Sequence, residues 1–332
     1  MVRIKIFLPA VIFITSLFFL FTSCMYNKAS NGDPVARLLI DSRALLGEGS
    51  VWNYQTGELY WIDIEKGILY IYDPASRQTI QYPFNKKIGT VVPTNDGNAL
   101  VALQDGIYEL NLATGKVEFL DNPIENTSDV RFNDGKCDPG GRFWVGTMAL
   151  DAHRYGAALY RYDTEGVLKK MLDSITISNG LVWTSDHKTM YYIDTPTQQV
   201  KRYKYDESSG DIVPDGIAVT IPKDLGSPDG MTIDDDDMLW IAHWGGYGVY
   251  RWDPETGKLL QKIAVPAKNV TSCAFGGENL EYLYITTAQN GNTPEELQKY
   301  PASGGLFVVK PGVKGVKASF YGKSNQNFSQ PE

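Results

Sequence analysis

Short alternating apolar runs, closed by Gly, Asp, Asn or Pro, recur along this chain and constrain its fold more than any other feature. Long runs with helical periodicity are absent from the sequence, and strict alternation over a few residues is typical of strands with one covered face. The pattern returns six times, at roughly 40 to 50 residues, which is the spacing of β-propeller blades. We therefore predict an all-β fold, a six-bladed β-propeller.

Each repeated unit holds an apolar run, predicted to be a buried second strand, and then an alternating run rich in Tyr and Trp. The apolar runs lie at residues 58–63, 99–103, 142–147, 189–194, 239–242 and 282–287. Turns such as Asn95-Asp96-Gly97-Asn98 connect the runs with residues that tolerate positive φ. Because a propeller gathers the starts of its innermost strands around a central channel, equivalent positions in distant units are expected to meet there.

The composition is compatible with one large core and argues against nucleic acid as a partner. Hydrophobic residues make up 43% of the 332 residues, enough for a single all-β domain. The formal net charge is −8, and no basic patch stands out that could neutralise phosphates. The expected partner is a small molecule or a cation, and a monomer is expected.

Cysteine usage excludes a disulfide framework. Only Cys137 and Cys273 follow the N-terminal leader, each in a strand-like context. They belong to units three and six, which a six-bladed propeller places opposite one another, too far apart for a disulfide. We expect both to be buried, with packing roles.

The N-terminal residues have the features of a signal peptide. Arg3 and Lys5 precede an apolar run that ends at Cys24, and this run is too short and wrongly flanked for a transmembrane helix. The segment Phe21-Thr22-Ser23-Cys24 resembles a bacterial lipobox, with Phe21 in place of the usual aliphatic residue. A plain signal peptide and an uncleaved anchor are the alternatives.

The chain is therefore predicted to divide into a lipoprotein-type signal peptide over residues 1–24, a flexible tether over 25–38, the propeller over 39–322 and a C-terminal tail over 323–332. The expected location is the bacterial cell envelope, facing the periplasm or the outer surface, with a lipid anchor as the only membrane contact. If Cys24 is not lipidated, the protein is expected to be secreted.

Three segments share one design, in which an oxygen-bearing side chain is followed by glycine and then by an apolar strand. Glu48, Asn179 and Asp229 occupy this place in units one, four and five. Pro228 and Gly230 flank Asp229, which predicts a turn there. Singly, each side chain would more often be an ordinary turn residue, but equivalent positions converge in a propeller. Two carboxylates and an amide oxygen predict a hard-cation site in the central channel.

Five ordered segments, in units one, three, four and five, resemble the gluconolactonase and regucalcin (senescence marker protein) family, and the match spans all six units, roughly residues 40 to 315. The ordered set is far more specific than any one segment. The segments are Gly47-Glu48-Gly49, Arg131-Phe132-Asn133-Asp134-Gly135-Lys136, Gly146-Thr147-Met148, Ser178-Asn179-Gly180 and Pro228-Asp229-Gly230-Met231.

The resemblance implies a six-bladed propeller that holds one divalent cation in its channel and hydrolyses sugar lactones. Calcium is the expected cation, with zinc, magnesium and manganese as alternatives. Arg131 and Asn133 match the substrate-binding residues of the family, and Asp151 aligns with a family glutamate that is one methylene longer. The implied metal ligands are Glu48, Asn179 and Asp229.

The chemistry also follows from the residues themselves. Lactone hydrolysis needs an electrophile on the carbonyl oxygen, a nucleophilic water and stabilisation of the oxyanion, and a cation with open positions supplies all three. Asp229 is the candidate general base, although a carboxylate bound to a cation is a weak base. Arg131 offers a planar fork of donors, and Asn133 can both donate and accept.

Two other functions remain as alternatives. A propeller that binds a ligand or partner without turnover has no need for this ligand set. An esterase or phosphotriesterase would use the same cation, but Arg131 and Asn133 favour a hydroxylated substrate. The acidic run at residues 234–237 lacks the spacing of a calcium loop and is predicted to be a solvated turn, and His243 is expected to be structural.

Overall fold

The computed structural model describes residues 33–124, 128–152 and 154–323, and this part of the chain is almost wholly built of β-strands. The described residues form twenty-four strands, arranged in six antiparallel sheets of four strands each. Strand β1 (Arg37–Ile40) comes first in the chain and belongs to the last sheet. We call the sheets blades one to six, in chain order.

In the first five blades the strands are consecutive in sequence. Blades one and two contain β2 (Gly47–Asn53), β3 (Glu58–Asp63), β4 (Ile68–Asp73), β5 (Gln78–Pro83), β6 (Ile88–Pro93), β7 (Ala99–Leu103), β8 (Gly106–Leu110) and β9 (Val117–Asp121). Blades three and four contain β10 (Val130–Cys137), β11 (Phe143–Ala149), β12 (Ala157–Tyr162), β13 (Leu168–Ile175), β14 (Ser178–Trp183), β15 (Thr189–Asp194), β16 (Gln199–Tyr205) and β17 (Ile212–Thr220). Blade five contains β18 (Ser227–Ile233), β19 (Leu239–Trp244), β20 (Gly248–Asp253) and β21 (Lys258–Ala264).

Blade six joins the two ends of the described chain. Its strands are β22 (Asn269–Gly276), β23 (Tyr282–Ala288), β24 (Leu306–Val309) and β1, with Arg37 opposite Val308. The predicted tether reached residue 38, but Ala264 N donates to Pro34 O and Ala36 N donates to Ala264 O, both at 2.8 Å. The propeller therefore begins inside the predicted tether, because the last blade takes its outer strand from the N-terminal side.

The blades close into a propeller, as predicted. The first strand of each blade contacts the first strands of both neighbouring blades, so β2, β6, β10, β14, β18 and β22 form a ring around the central channel. Six buried apolar clusters, one between each pair of adjacent blades, hold the described residues together. Trp61, Trp144 and Trp240 lie almost fully buried in second strands, where large aromatic side chains fill the space between blades.

Helical structure in the described ranges is confined to α1 (Pro294–Lys299) and two 3₁₀ turns, Thr195–Thr197 and Lys223–Leu225. A capping box starts α1, because the Thr293 hydroxyl accepts from Glu296 N while the Glu296 carboxylate accepts from Thr293 N. None of these helices is long and apolar enough to cross a membrane. The predicted signal peptide with Cys24, and residues 324–332 of the predicted tail, lie outside the described residues.

Both described cysteines are buried and unpaired, as predicted. Cys273 Sγ donates to Trp240 O at 3.4 Å, and burial raises the pKa of its thiol to about 12. Burial also raises the pKa of Cys137 well above its usual value. Neither thiol is therefore a nucleophile at neutral pH.

Candidate metal centre

The inner strands depart from regular pairing close to their starts, where the predicted ligands lie. A bulge interrupts the strict alternation of a strand and re-aims the side chains beside it. The register shifts lie between Glu48 and Val51 in β2, between Phe132 and Gly135 in β10, between Ser178 and Leu181 in β14 and between Pro228 and Met231 in β18. Each predicted ligand is thus at or inside a bulge of an inner strand.

The prediction of a turn at Asp229 is wrong, because Asp229 lies within strand β18. Pro228 has no backbone N–H to donate. It is tolerated there because an inner strand is the edge strand of its blade and pairs with another strand on one side only. A Cβ on Gly230 would lie 2.8 Å from Thr271 O of β22, and a Cβ on Gly180 would lie 2.8 Å from Asp229 O. These two glycines therefore permit the close approach of neighbouring inner strands.

Three carboxylates converge near the start of the inner strands. Glu48, Asp134 and Asp229 are 7%, 8% and 6% exposed. Burial raises the pKa of Glu48 to about 8, and the charge of Asp134 adds to this rise. Burial, then the charges of Glu48 and Asp134, raise the pKa of Asp229 well above its usual value. The three groups therefore repel one another in a site with little water.

Asp134 is a site residue that was not predicted. The signal was present, because Asp134 is followed by Gly135 just as each predicted ligand is followed by glycine. Two cationic side chains lie near the three carboxylates, Lys136 beside Asp134 and Arg131 beside Glu48 and Asp229. Burial lowers the pKa of Arg131 and of Lys136, and Lys136 Nζ donates to Met231 O at 2.5 Å. Two buried cationic side chains thus lie beside three buried carboxylates. A bound divalent cation would reduce the repulsion among these carboxylates.

The predicted substrate pair is hydrogen-bonded to a predicted ligand. Arg131 Nη1 donates to Asn133 Oδ1 at 2.6 Å, and Asn133 Nδ2 donates to Asn179 Oδ1 at 2.9 Å. The charges of Glu48 and Asp229 both act on Arg131. The structure therefore brings these five predicted residues into one buried cluster.

Asp151 differs from the other predicted residues. It is exposed and lies in the turn that follows β11, whereas Arg131 and Asn133 are buried in β10. Its role in substrate binding stays a prediction. The ring of His243 stacks on Tyr250 at 4.0 Å and its Nδ1 lies 2.9 Å from Leu225 O, and its structural role stays a prediction.

The acidic run forms the predicted turn between β18 and β19, but its first residue, Asp234, is not solvated. Asp234 is fully buried, and its Oδ2 accepts from Trp240 Nε1 at 2.8 Å and from Arg251 Nε at 2.7 Å. Asp235 and Asp236 are exposed, and carboxylate oxygens of the three residues lie within 4.8 Å of one another. Arg251 forms ion pairs with both Asp234 and Asp236, so an arginine of the fold already balances part of the negative charge of this cluster.

Comparisons with known proteins agree with this architecture. The family model described as the SMP-30/gluconolactonase/LRE-like region matches residues 46–289. A Bacillus subtilis protein named as a sugar lactone lactonase, YvrE, is 41% identical over 282 residues, covering 85% of this chain and 97% of its own length. Regucalcin of Danio rerio is 36% identical over 292 residues, covering 85% and 97%.

A solved structure gives the same picture. The crystal structure of a calcium-binding protein, regucalcin, from Agrobacterium tumefaciens superposes with a TM-score of 0.82. It is 26% identical in sequence, and the match covers 86% of this chain and 97% of that one. The similarity therefore extends over the whole propeller rather than over single blades.

Proposed function

The chain belongs to the SMP-30/gluconolactonase/LRE-like family, and from this premise we propose that it is an enzyme that hydrolyses a sugar lactone in its central channel. The observation that carries the proposal is the buried cluster of oxygen-bearing side chains at the starts of the inner strands, Glu48, Asn179 and Asp229. The name of the Bacillus subtilis relative supports the substrate class.

A divalent cation fits these residues. The donors are two carboxylates and an amide oxygen, which suit hard cations, and the buried carboxylates exceed the buried cations beside them. Glu48, Asn179 and Asp229 would hold it, and calcium is the cation we propose first, with zinc, magnesium and manganese as alternatives. When bound, such a cation polarises a carbonyl and lowers the pKa of a nearby water.

The residues of the chain position the substrate and move the proton. We assign Arg131 and Asn133 to the hydroxyl groups of the lactone, because a planar donor fork and an amide match neighbouring hydroxyls. Water adds to the lactone carbonyl carbon, and its proton passes to a carboxylate oxygen of Asp229. The ring carbon–oxygen bond then breaks, and the proton goes to the departing ring oxygen. The product is the open-chain hydroxy acid.

The proposal is tested by acid release from a panel of substrates. Protein freed of metal by chelation is assayed in a pH-stat with aldonolactones, an aryl ester and a phosphotriester, after addition of calcium, magnesium, manganese or zinc. We expect cation-dependent acid release, fastest with an aldonolactone. Absence of turnover with every substrate and cation would favour a binding propeller, and preference for the aryl ester or phosphotriester would identify another hydrolase.

We also propose that Cys24 anchors the protein to an envelope membrane. The basis is the lipobox-like segment that precedes it and the polar residues that follow. Replacement of Cys24 by serine should move the mature protein from the membrane fraction to the soluble fraction. A protein that stays in the membrane fraction with an unprocessed N-terminus would show that the anchor is of another kind.

A further inference from the structure

Four hydrogen bonds run without a break from the substrate pair of blade three to the backbone of blade five. After the bonds from Arg131 to Asn133 and from Asn133 to Asn179, Asn179 Nδ2 donates to Thr195 Oγ1 at 2.7 Å. Thr195 Oγ1 then donates to Pro228 O at 2.8 Å, next to Asp229. One threonine hydroxyl therefore connects the Asn179 side chain to the backbone that precedes Asp229.

The chain of hydrogen bonds has one direction, fixed at both ends. Arg131 can only donate, so Asn133 must present its amide oxygen to Arg131 and its amide nitrogen to Asn179. The carbonyl oxygen of Pro228 can only accept, so the Thr195 hydroxyl must donate to it and accept from Asn179. Both amides thus have a single orientation, in which Asn179 Oδ1 receives one hydrogen bond and keeps a second lone pair.

The Asn133 and Asn179 amides differ in the number of acceptors that their Nδ2 atoms have. Asn133 Nδ2 also donates to Ser178 O at 2.7 Å, which fixes the Asn133 amide even without Arg131. Asn179 Nδ2 has Thr195 as its one acceptor within residues 33–124, 128–152 and 154–323. The Asn179 amide is therefore held by two side chains, Asn133 at Oδ1 and Thr195 at Nδ2, and Thr195 is the one that fixes its nitrogen.

We infer that Thr195 is a positioning residue, which holds the amide of Asn179 so that Oδ1 is presented to the cation. Thr195 is not among the proposed ligands; its hydroxyl accepts from Asn179 Nδ2 and donates to Pro228 O. Partners of this kind behind a metal ligand typically contribute 10- to 100-fold in metal affinity or activity. The inference rests on the proposed function, in which Asn179 holds a divalent cation.

The structure provides a matched control in the same 3₁₀ turn. Thr197 is half-buried like Thr195, and its hydroxyl donates to Asp194 O at 2.7 Å, without any contact to a proposed ligand. Thr195→Val and Thr197→Val therefore make the same chemical change two residues apart. Thr195→Ser keeps the hydroxyl and should rescue the function, and Thr195→Ala takes the place of Thr195→Val if the valine variant does not fold.

The test is a calorimetric titration of chelator-treated protein with Mn²⁺, with thermal unfolding measured in parallel. We expect Thr195→Val to weaken Mn²⁺ binding roughly 10- to 100-fold, and Thr195→Ser and Thr197→Val to bind close to the wild-type protein. Wild-type affinity in Thr195→Val, or an equal loss in Thr197→Val, would overturn the role of Thr195 and leave the proposed function standing. A wild-type protein that binds no Mn²⁺, Ca²⁺, Mg²⁺ or Zn²⁺ would overturn both.

Discussion

Strand β18 has a buried carboxylate at each end, and the two carboxylates have different charged neighbours. Asp229, near the start, faces Glu48 and Asp134, and burial, then the charges of these two residues, raise the pKa of its carboxyl. Asp234, just past the end, accepts hydrogen bonds from Trp240 and Arg251. A buried carboxylate with its own arginine stabilises the fold, whereas one set against other carboxylates costs stability until a cation binds.

The arrangement around Asp234 is a repeated structural device. In blade three, Asp138 Oδ2 accepts from Trp144 Nε1 at 2.9 Å and from Arg142 Nε at 2.7 Å, as Asp234 does with Trp240 and Arg251 in blade five. In both blades the tryptophan follows the aspartate by six residues and is fully buried. The tryptophan and arginine donors therefore satisfy an aspartate that lies outside the channel.

The largest effect is expected from Asp229→Asn, which keeps the size of the side chain and one coordinating oxygen but removes its charge and basicity. If Asp229 accepts the proton of the attacking water, kcat should fall roughly 10²- to 10⁴-fold and stay low at saturating cation. The measurement is lactonase kinetics over a cation titration. Asp235→Asn, an exposed position near the other end of β18, serves as the control and should keep full activity.

A rate that excess cation restores to the wild-type value would contradict the proton-accepting role. Asp229 would then be a ligand alone, and the comparison between the two ends of β18 would rest on charge compensation only.

Asp234→Asn makes the same chemical change at the other end of β18 and should affect stability instead. Removing the carboxylate leaves Arg251 without its buried partner, which should lower the free energy of unfolding by about 3 kcal/mol. The kcat of the folded fraction should stay near that of the wild-type protein. Chemical denaturation and kinetics on the same preparation measure both quantities, and a large loss of kcat without a loss of stability would refute this division of roles.

The two arginines extend the comparison. Arg131 donates to Phe132 O and to Asn133 Oδ1, whereas Arg251 is ion-paired with Asp234 and Asp236. Arg131→Ala should lower kcat/KM by roughly 10- to 100-fold, since hydrogen bonds to charged groups contribute about 1.5–3 kcal/mol, while Mn²⁺ affinity stays near the wild-type value. Calorimetry and kinetics test this, and loss of the cation from the variant would mean that Arg131 supports the metal site.

Arg251→Ala is the matched control for this experiment. It should lower the melting temperature and leave kcat/KM of the folded protein unchanged, because Arg251 supports the buried carboxylate of Asp234 outside the channel.

The sequence was sufficient to predict the propeller, because each blade repeats the same local pattern and the pattern can be counted. The origin of the last outer strand could not be predicted in this way. Residues 37–40 carry no partner in their own neighbourhood, and only the geometry of ring closure places them beside β24. The tether boundary was wrong for the same reason.

The candidate site could be predicted in part, since Glu48, Asn179 and Asp229 share a position in the repeat. Asp134 is also followed by glycine, but in the bulge of β10 it is Asn133 that takes the place of Asn179 and Asp229. The role of Thr195 depends on the distance between two blades and has no sequence signal of its own. Asp234 looked solvated within an acidic run, because its partner Arg251 lies in a later strand.

A pH dependence of stability also belongs to the channel end of the comparison. The pKa of Glu48 is about 8 in the folded protein and 4.5 as its ordinary value, because burial and Asp134 disfavour the charge. Between these values the folded state binds more protons than the unfolded state, so this stabilisation is present at low pH and is lost as the pH rises through about 8. Asp229, whose pKa is also raised, acts in the same direction. In chelator the melting temperature of the wild-type protein should therefore fall between about pH 5 and about pH 8.5, and fall less in Glu48→Gln. Saturating Ca²⁺ should reduce the dependence, because cation binding needs deprotonated carboxylates and gains strength with pH. Identical pH profiles for the two proteins in chelator would mean that Glu48 is already compensated in the fold, as Asp234 is.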